Sequence, residues 1–113
     1  MRLTTLLAAP MFALAAAAAS TLADAAPAAQ PVEVTMYVMP QCGYCEKMRQ
    51  HLTQAGVAWG ERDISTPAIK AEFDAKGGIG TPLVVIGSDV VKGYMPQAVD
   101  ASLRRQGVAL KTP

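Results

Sequence analysis

The fold of this chain is decided by residues 32–48, which read VEVTMYVMPQCGYCEKM. Apolar and polar side chains alternate over residues 32–38, and this period of two predicts a β-strand. Pro40 interrupts the strand, and from Cys42 onward the apolar side chains recur at the spacing of a helix. We therefore expect Cys42 and Cys45 in the first turn of a helix that directly follows a strand.

The rest of the chain continues this succession of strands and helices. Glycines and prolines mark the boundaries, because Gly commonly follows a helix and Pro fits its first position. The predicted order is β-α-β-α-β-β-α, which is an α/β fold with a four-stranded mixed sheet and flanking helices. Trp59 is expected to anchor the second strand in the core. The predicted strands cover 32–38, 57–63, 83–86 and 89–92, and the predicted helices run from Cys42, Pro67 and Pro96 to Gly56, Gly77 and Gly107.

Residues 1–25 have the pattern of an export signal. Residues 3–23 carry no charge, Arg2 supplies the positive start, and Ala-Asp-Ala at 23–25 has small residues where a signal peptidase cleaves. We predict cleavage after residue 25 and a periplasmic or secreted protein. The alternative is an uncleaved N-terminal membrane anchor, for which about 20 apolar residues suffice. The remaining chain divides into a flexible leader at 26–31, one domain at 32–110 and a tail at 111–113.

Composition limits the class of protein. The 113 residues include 10 Lys and Arg against 9 Asp and Glu, for a formal net charge of +1. A nucleic-acid-binding domain usually carries a clustered basic excess, so nucleic acid is not an expected partner. Hydrophobic residues make up 51% of the chain, which is too many for an intrinsically disordered protein. We expect one small domain that acts as a monomer.

The Cys-Gly-Tyr-Cys sequence at 42–45 predicts redox chemistry. Two cysteines one helical turn apart are close enough to form a disulfide. The helix dipole favours a negative charge at the N-terminus by about 0.3–2 kcal/mol, so it lowers the pKa of the Cys42 thiol. We therefore expect Cys42 to be the exposed nucleophilic thiolate and Cys45 the buried thiol that resolves the mixed disulfide.

Three other uses of such a cysteine pair fit this sequence less well. A structural disulfide over so short a loop stabilises a protein little. A zinc site needs two more ligands, and the single histidine, His51, is expected to be a solvent-exposed residue of the same helix. Covalent haem attachment needs a His directly after the second Cys, and Glu46 stands there.

A second feature precedes the strand predicted at 83–86. Pro82 cannot donate a ladder hydrogen bond, so it belongs at the first position of that strand. Only about 5–6% of X-Pro bonds are cis, but together with a redox cysteine pair we expect a cis Thr81–Pro82 bond. The backbone of Thr81 would then face outward beside Cys42 and pair with an extended substrate.

These residues resemble the glutaredoxin family of the thioredoxin-fold superfamily. The similarity covers about residues 32–110 and rests on Pro-Gln-Cys-Gly-Tyr-Cys at 40–45, Pro-Leu-Val-Val-Ile-Gly at 82–87 and Gly93 after the last hairpin. It implies a thioredoxin-like fold and a thiol–disulfide oxidoreductase that acts in electron transport and cell redox homeostasis. The expected site residues are the catalytic Cys42 and Cys45 and the substrate-binding Tyr44, Thr81, Pro82, Gly93 and Tyr94.

Two positions differ from the glutathione-using members of that family. Such members carry a Lys three residues before the first Cys, where Met39 stands here. They also carry an acidic residue after the last hairpin, where residues 92–96 read Lys-Gly-Tyr-Met-Pro and resemble redoxins that serve ribonucleotide reductase. We therefore expect a periplasmic or membrane thiol donor as reductant, with glutathione as the alternative. The expected substrates are disulfide-containing proteins or low-molecular-weight thiols, and no resident cofactor or metal is expected.

Two alternative functions use the same cysteines. The Gly-Tyr pair between them, with Thr81 before Pro82, also resembles periplasmic disulfide isomerases. A binding module would instead carry a soft metal such as Cu(I), or share an iron–sulfur cluster between Cys42 of two chains. Metal content after purification separates the binding module from the enzyme.

Overall fold

The structure is a computed structural model that describes residues 30–112. The predicted signal peptide at 1–25 and most of the predicted leader at 26–31 lie outside these residues. No helix within residues 30–112 combines the length and the apolar character needed to cross a membrane. The chain forms β1 (Val34–Val38), α1 (Gly43–Gln54), β2 (Gly60–Asp63), α2 (Pro67–Ala75), β3 (Leu83–Ile86), β4 (Asp89–Lys92) and α3 (Pro96–Arg105).

The four strands form one mixed sheet in the order β2-β1-β3-β4. Strands β1 and β2 are parallel and are joined through α1, whereas β3 is antiparallel to both of its neighbours, β1 and β4. The predicted element order and the predicted thioredoxin-like α/β fold are therefore confirmed. In this arrangement the end of β1 and the start of β3 are neighbours, since Tyr37 pairs with Leu83.

The helices cover the two faces of the sheet unequally. On one face, α1 and α3 pack together against β1, β3 and β4, and their buried side chains include Met48, Leu52 and Leu103. On the other face, α2 places Phe73 against Tyr37 of β1 and Leu83 of β3. The alternation in β1 predicted one buried face, and the burial of Tyr37 on the other face follows from its packing against Phe73 and Leu83.

Glycines end the helices as predicted. Gly56, Gly77 and Gly107 each follow a helix with a positive φ, a backbone conformation that costs Gly little. Gly87 also has a positive φ, of 59°, and opens the turn between β3 and β4. These positions set the lengths of the elements that carry the cysteines and Pro82.

The second strand is shorter than predicted. It begins at Gly60 and not at Val57, because the Val57 N–H donates back to the Leu52 carbonyl at 3.0 Å and so closes the end of α1. Trp59 therefore precedes the strand. Its ring is partly buried against the core, and its Nε1–H donates to Glu61 Oε2 at 3.0 Å.

Candidate active site

The two cysteines meet at the N-terminus of α1. They are joined by a disulfide with a Cα–Cα distance of 5.2 Å. Cys42 has an extended backbone and caps the helix, so it stands one position before the predicted first turn, and its Sγ accepts the backbone N–H of Cys45 at 3.1 Å. Cys45 has 0% of its surface exposed, whereas Cys42 is only partly buried. The two bonded sulfurs thus differ sharply in how accessible they are.

The segment before Cys42 is an exposed turn. Met39, Pro40 and Gln41 are all exposed, and Gln41 has a φ of 58°, the one positive value at a non-glycine residue within 30–112. Side chains rarely adopt this conformation, and such residues concentrate at functional sites. The turn separates the end of β1 from the start of α1 and so places Cys42 beyond the C-terminal end of this inner strand.

The loop before β3 lies against the exposed cysteine. The Thr81–Pro82 bond is cis, as predicted, and Pro82 is fully buried. The Thr81 hydroxyl donates to Cys42 Sγ at 3.3 Å. The Gly93 N–H donates to the Pro82 carbonyl at 2.9 Å, which connects the end of β4 to the same loop. Residues that lie far apart in the chain are thereby brought together around one sulfur.

Two aromatic rings border the site. Tyr44 and Tyr94 stack with their centroids 5.9 Å apart, and Lys47 Nζ lies 5.4 Å from the centre of the Tyr44 ring. Tyr44 is 59% exposed, although Tyr94 packs partly against the core. The two predicted aromatic site residues therefore contact each other, and Tyr44 presents an exposed apolar surface next to the cysteines.

The cation that borders the same surface depression as Cys42, Arg49, is paired with two carboxylates. Its guanidinium donates to Glu61 at 2.8 Å and to Glu46 at 3.1 Å. The hydrogen bond from Arg49 lowers the pKa of the Glu61 carboxyl below its usual value. Because two carboxylates balance Arg49, this cation adds little positive field at the sulfur.

His51 is less exposed than predicted. It is partly buried, and its Nε2 lies 2.7 Å from Asp100 Oδ1, so the pair links α1 to α3. Nothing local in the sequence indicates this contact, because the two residues are 49 positions apart. Within residues 30–112, no three His, Cys, Asp or Glu side chains converge in a way that could hold a metal ion.

One contact of the site had no signal in the sequence. The sequence indicated the Thr81 backbone as a substrate contact, but not its hydroxyl as a donor to Cys42. That hydrogen bond spans 39 positions and depends on how closely the loop before β3 approaches α1.

Comparison with known proteins supports this architecture. The solved thioredoxin-like protein BC3987 is 25% identical, with a TM-score of 0.58, and the match covers 62% of this chain and 99% of that protein. The glutaredoxin grx-1 from Archaeoglobus fulgidus is 25% identical, with a TM-score of 0.56 and coverage of 65% and 87%. The glutaredoxin-like NrdH-redoxin from Escherichia coli shares the fold at 18% identity, with a TM-score of 0.58 and coverage of 61% and 92%.

A comparison with curated protein sequences gave no significant match. The family model for glutaredoxin, in contrast, matches residues 34–91, which is just over half of the chain. The matched segment runs from β1 through both cysteines and the Thr81–Pro82 bond into β4. This chain therefore belongs to the glutaredoxin family.

Proposed function

We propose that the protein is a thiol–disulfide oxidoreductase that works through Cys42 and Cys45. The observation that carries this proposal is the unequal accessibility of two bonded sulfurs, since Cys45 is wholly buried and Cys42 is not. In the reduced protein, the helix N-terminus favours the thiolate at Cys42. Burial raises the cost of a charge at Cys45, so the proton stays on that sulfur.

The proposed reaction has two exchange steps. In the first, the Cys42 thiolate attacks one sulfur of a substrate disulfide, and the second substrate sulfur leaves as a thiolate and takes up a proton. In the second, Cys45 gives up its proton and attacks Cys42 Sγ in the mixed disulfide. The substrate leaves fully reduced, and the Cys42–Cys45 disulfide holds the oxidising equivalents. A reduced dithiol partner then restores the cysteine pair.

Polypeptide disulfides suit this site better than glutathione. The Thr81 backbone N–H and C=O form no hydrogen bond with the residues that the structure describes, so they are free to pair with an extended substrate chain. Exposed apolar side chains border the cysteines, namely Met39, which lines the same depression as Cys42, and Tyr44, which lies between the two cysteines in the chain. The position of Met39 also lacks the Lys that glutathione-using relatives carry. We propose a periplasmic or membrane thiol donor as the source of electrons.

Trapping tests the assigned roles. Cys45→Ser removes the resolving thiol, so the variant should accumulate mixed disulfides with its partners, visible on a non-reducing gel. Cys42→Ser removes the nucleophile and should accumulate none. The unaltered protein should reduce insulin disulfides with dithiothreitol as donor, and both variants should lose nearly all of that activity. Equal trapping by the two variants would contradict the assignment.

The metal content of the purified protein distinguishes the proposed enzyme from the alternative metal-binding module. The purified protein should be colourless and free of stoichiometric copper, zinc or iron by elemental analysis. A stoichiometric metal would favour the binding module over the enzyme. A soft metal held by both cysteines should be lost in both variants, whereas a cluster shared between Cys42 of two chains should be lost in Cys42→Ser and kept in Cys45→Ser.

We further propose that the enzyme acts outside the cytoplasm. The support is the charge-free, Ala- and Leu-rich segment at 3–23, followed by small residues at 23–25. In an oxidising compartment the direction of exchange depends on the donor that the protein meets there.

A further inference from the structure

Two hydrogen-bond donors point at the sulfur of Cys42. One is local, the backbone N–H of Cys45 at 3.1 Å, and it belongs to the first turn of α1. The other is the Thr81 hydroxyl at 3.3 Å, which comes from the loop before β3. Thr81 is partly buried, so this donor is partly shielded from water. A sulfur at a helix N-terminus already has the first donor, whereas the second comes from a residue 39 positions further along the chain.

The neighbouring side chains give the sulfur little cationic support. Met39 is uncharged and 47% exposed. Arg49 borders the same depression, but Glu46 and Glu61 both bind its guanidinium. Lys47 lies over the Tyr44 ring, with its Nζ 5.4 Å from the ring centre. Among the described residues, both donors that are hydrogen-bonded to Cys42 Sγ are neutral, and such donors favour the charged form of the sulfur once the disulfide is reduced.

We propose that Thr81 is a positioning residue whose hydroxyl donates to the reduced Cys42 thiolate and thereby biases the cysteine couple toward its reduced form. The inference rests on the proposed role of Cys42 as the reacting sulfur. A thiolate is a much stronger hydrogen-bond acceptor than a disulfide sulfur, so the bond strengthens on reduction. Thr81 thus makes the couple a better acceptor of electrons and a weaker donor.

The reaction that measures this bias is reduction by dithiothreitol. Dithiothreitol gives up two electrons and two protons and closes to its cyclic disulfide, while the Cys42–Cys45 bond breaks. One proton stays on Cys45, and Cys42 remains a thiolate above its pKa, with the second proton released to water. The equilibrium constant of this exchange therefore contains the stability of the thiolate directly.

Thr81→Val is the decisive variant, because it keeps the shape of the side chain and removes the hydroxyl. We expect the pKa of Cys42, followed by thiolate ultraviolet absorbance against pH, to rise by about one unit. At a pH above the Cys42 pKa of both proteins, the equilibrium constant for reduction by dithiothreitol should be roughly tenfold smaller for Thr81→Val. This corresponds to a reduction potential about 30 mV more negative. Thr81→Ser keeps the hydroxyl and should stay close to the unaltered protein in both measurements.

Thr66→Val is the matched control. Thr66 precedes α2, is exposed and makes no side-chain capping hydrogen bond. The same chemical change there should leave both the pKa of Cys42 and the dithiothreitol equilibrium unaltered. If Thr81→Val does not fold by circular dichroism, Thr81→Ala takes its place, since it also lacks the hydroxyl.

Two outcomes would overturn the proposal. One is a Thr81→Val protein with the pKa and potential of the unaltered chain. The other is a Thr81→Ser protein that shifts as far as Thr81→Val, because the side-chain shape and not the hydroxyl would then be responsible. Both measurements use only the purified chain and dithiothreitol. A failure to reduce insulin would contradict the proposed function and leave this test intact.

Discussion

At the scale of single residues, Asp89 shows how one carboxylate ties two elements together. It stands at the start of β4 and accepts hydrogen bonds from Ser102 Oγ at 2.6 Å, Arg105 at 3.0 Å and Gln106 at 3.2 Å. Ser102 is 1% exposed, so its hydroxyl depends on this acceptor and its close neighbours. The Ser102 hydrogen bond, followed by that of Arg105, lowers the pKa of Asp89.

The lowered pKa predicts how Asp89→Asn responds to pH. Because the pKa of Asp89 is lower in the folded chain than in the unfolded one, the unfolded state binds the proton more readily. The stabilisation is therefore complete above the usual pKa of an Asp and is lost as the pH falls through the lower, folded value. Urea unfolding should show Asp89→Asn to be less stable than the unaltered protein at pH 7, with a smaller gap at about pH 3.

Asp74→Asn is the control for this measurement. Asp74 is exposed and pairs with Lys70 within α2, so its removal should change the free energy of unfolding less. A stability gap for Asp89→Asn that is the same at both pH values would show that its charge is not what matters.

At the scale of elements, the end of β4 holds the loop before β3 in place. Gly93 has a φ of 79°, and its N–H donates to the Pro82 carbonyl at 2.9 Å. A Cβ built at this position meets no atom within 4 Å. Glycine is therefore needed at this position because of its backbone conformation, and not because a larger side chain would collide with a neighbour.

Gly93→Ala should destabilise the protein by about 1–2 kcal/mol, the cost of a left-handed backbone for an L-residue. Gly60→Ala is the matched control, because Gly60 also has open space around its Cβ position but no positive φ. Urea unfolding of both variants gives the comparison. Equal losses at the two positions would argue against a conformational role for Gly93.

Elements were predictable where their signals are local. The alternation over 32–38 and the glycines after each helix depend on residues close in the chain, and the element order followed from them. The start of β2 was wrong because Val57 is apolar like a strand residue but is used to close α1. The alternation gave no signal for the burial of Tyr37, because that burial comes from Phe73, on a helix 36 positions further along.

In the site, too, features set by neighbouring residues were predictable, and contacts between distant residues were not. The cysteine pair and the cis Thr81–Pro82 bond were predictable because short patterns carry them. The hydrogen bond from the Thr81 hydroxyl to Cys42 and the pair of His51 with Asp100 were not, since each joins residues 39 or more positions apart. Such contacts depend on how the elements pack, which a single sequence does not reveal.

At the scale of the whole molecule, the redox pair belongs to the more heavily covered side of the sheet. Cys45 is part of the core that α1 and α3 form against the strands. The other side has a smaller core around Phe73 and Leu83. Cys45 is therefore held in place by the largest apolar cluster of the described residues.

The full chain also leads to a prediction about export. When it is expressed in a Gram-negative host, the protein should appear in the periplasmic fraction with a mass that corresponds to a start at Ala26. Replacement of Leu6 and Leu7 by Arg breaks the apolar segment and should retain the precursor in the cytoplasm. A full-length chain that stays with the membrane fraction would instead support the anchor.

The placement of a buried sulfur one turn from an accessible one also bears on damage by peroxide. In the reduced protein, we expect peroxide to reach the more accessible Cys42 first and to convert it to a sulfenic acid. Cys45 lies at bonding reach, with 5.2 Å between the two Cα atoms, and condenses with that group to re-form the disulfide and release water. We therefore expect the pair to stop at the disulfide, which a dithiol of sufficiently negative potential can reduce, where a solitary thiol would go on to irreversible sulfinic acid.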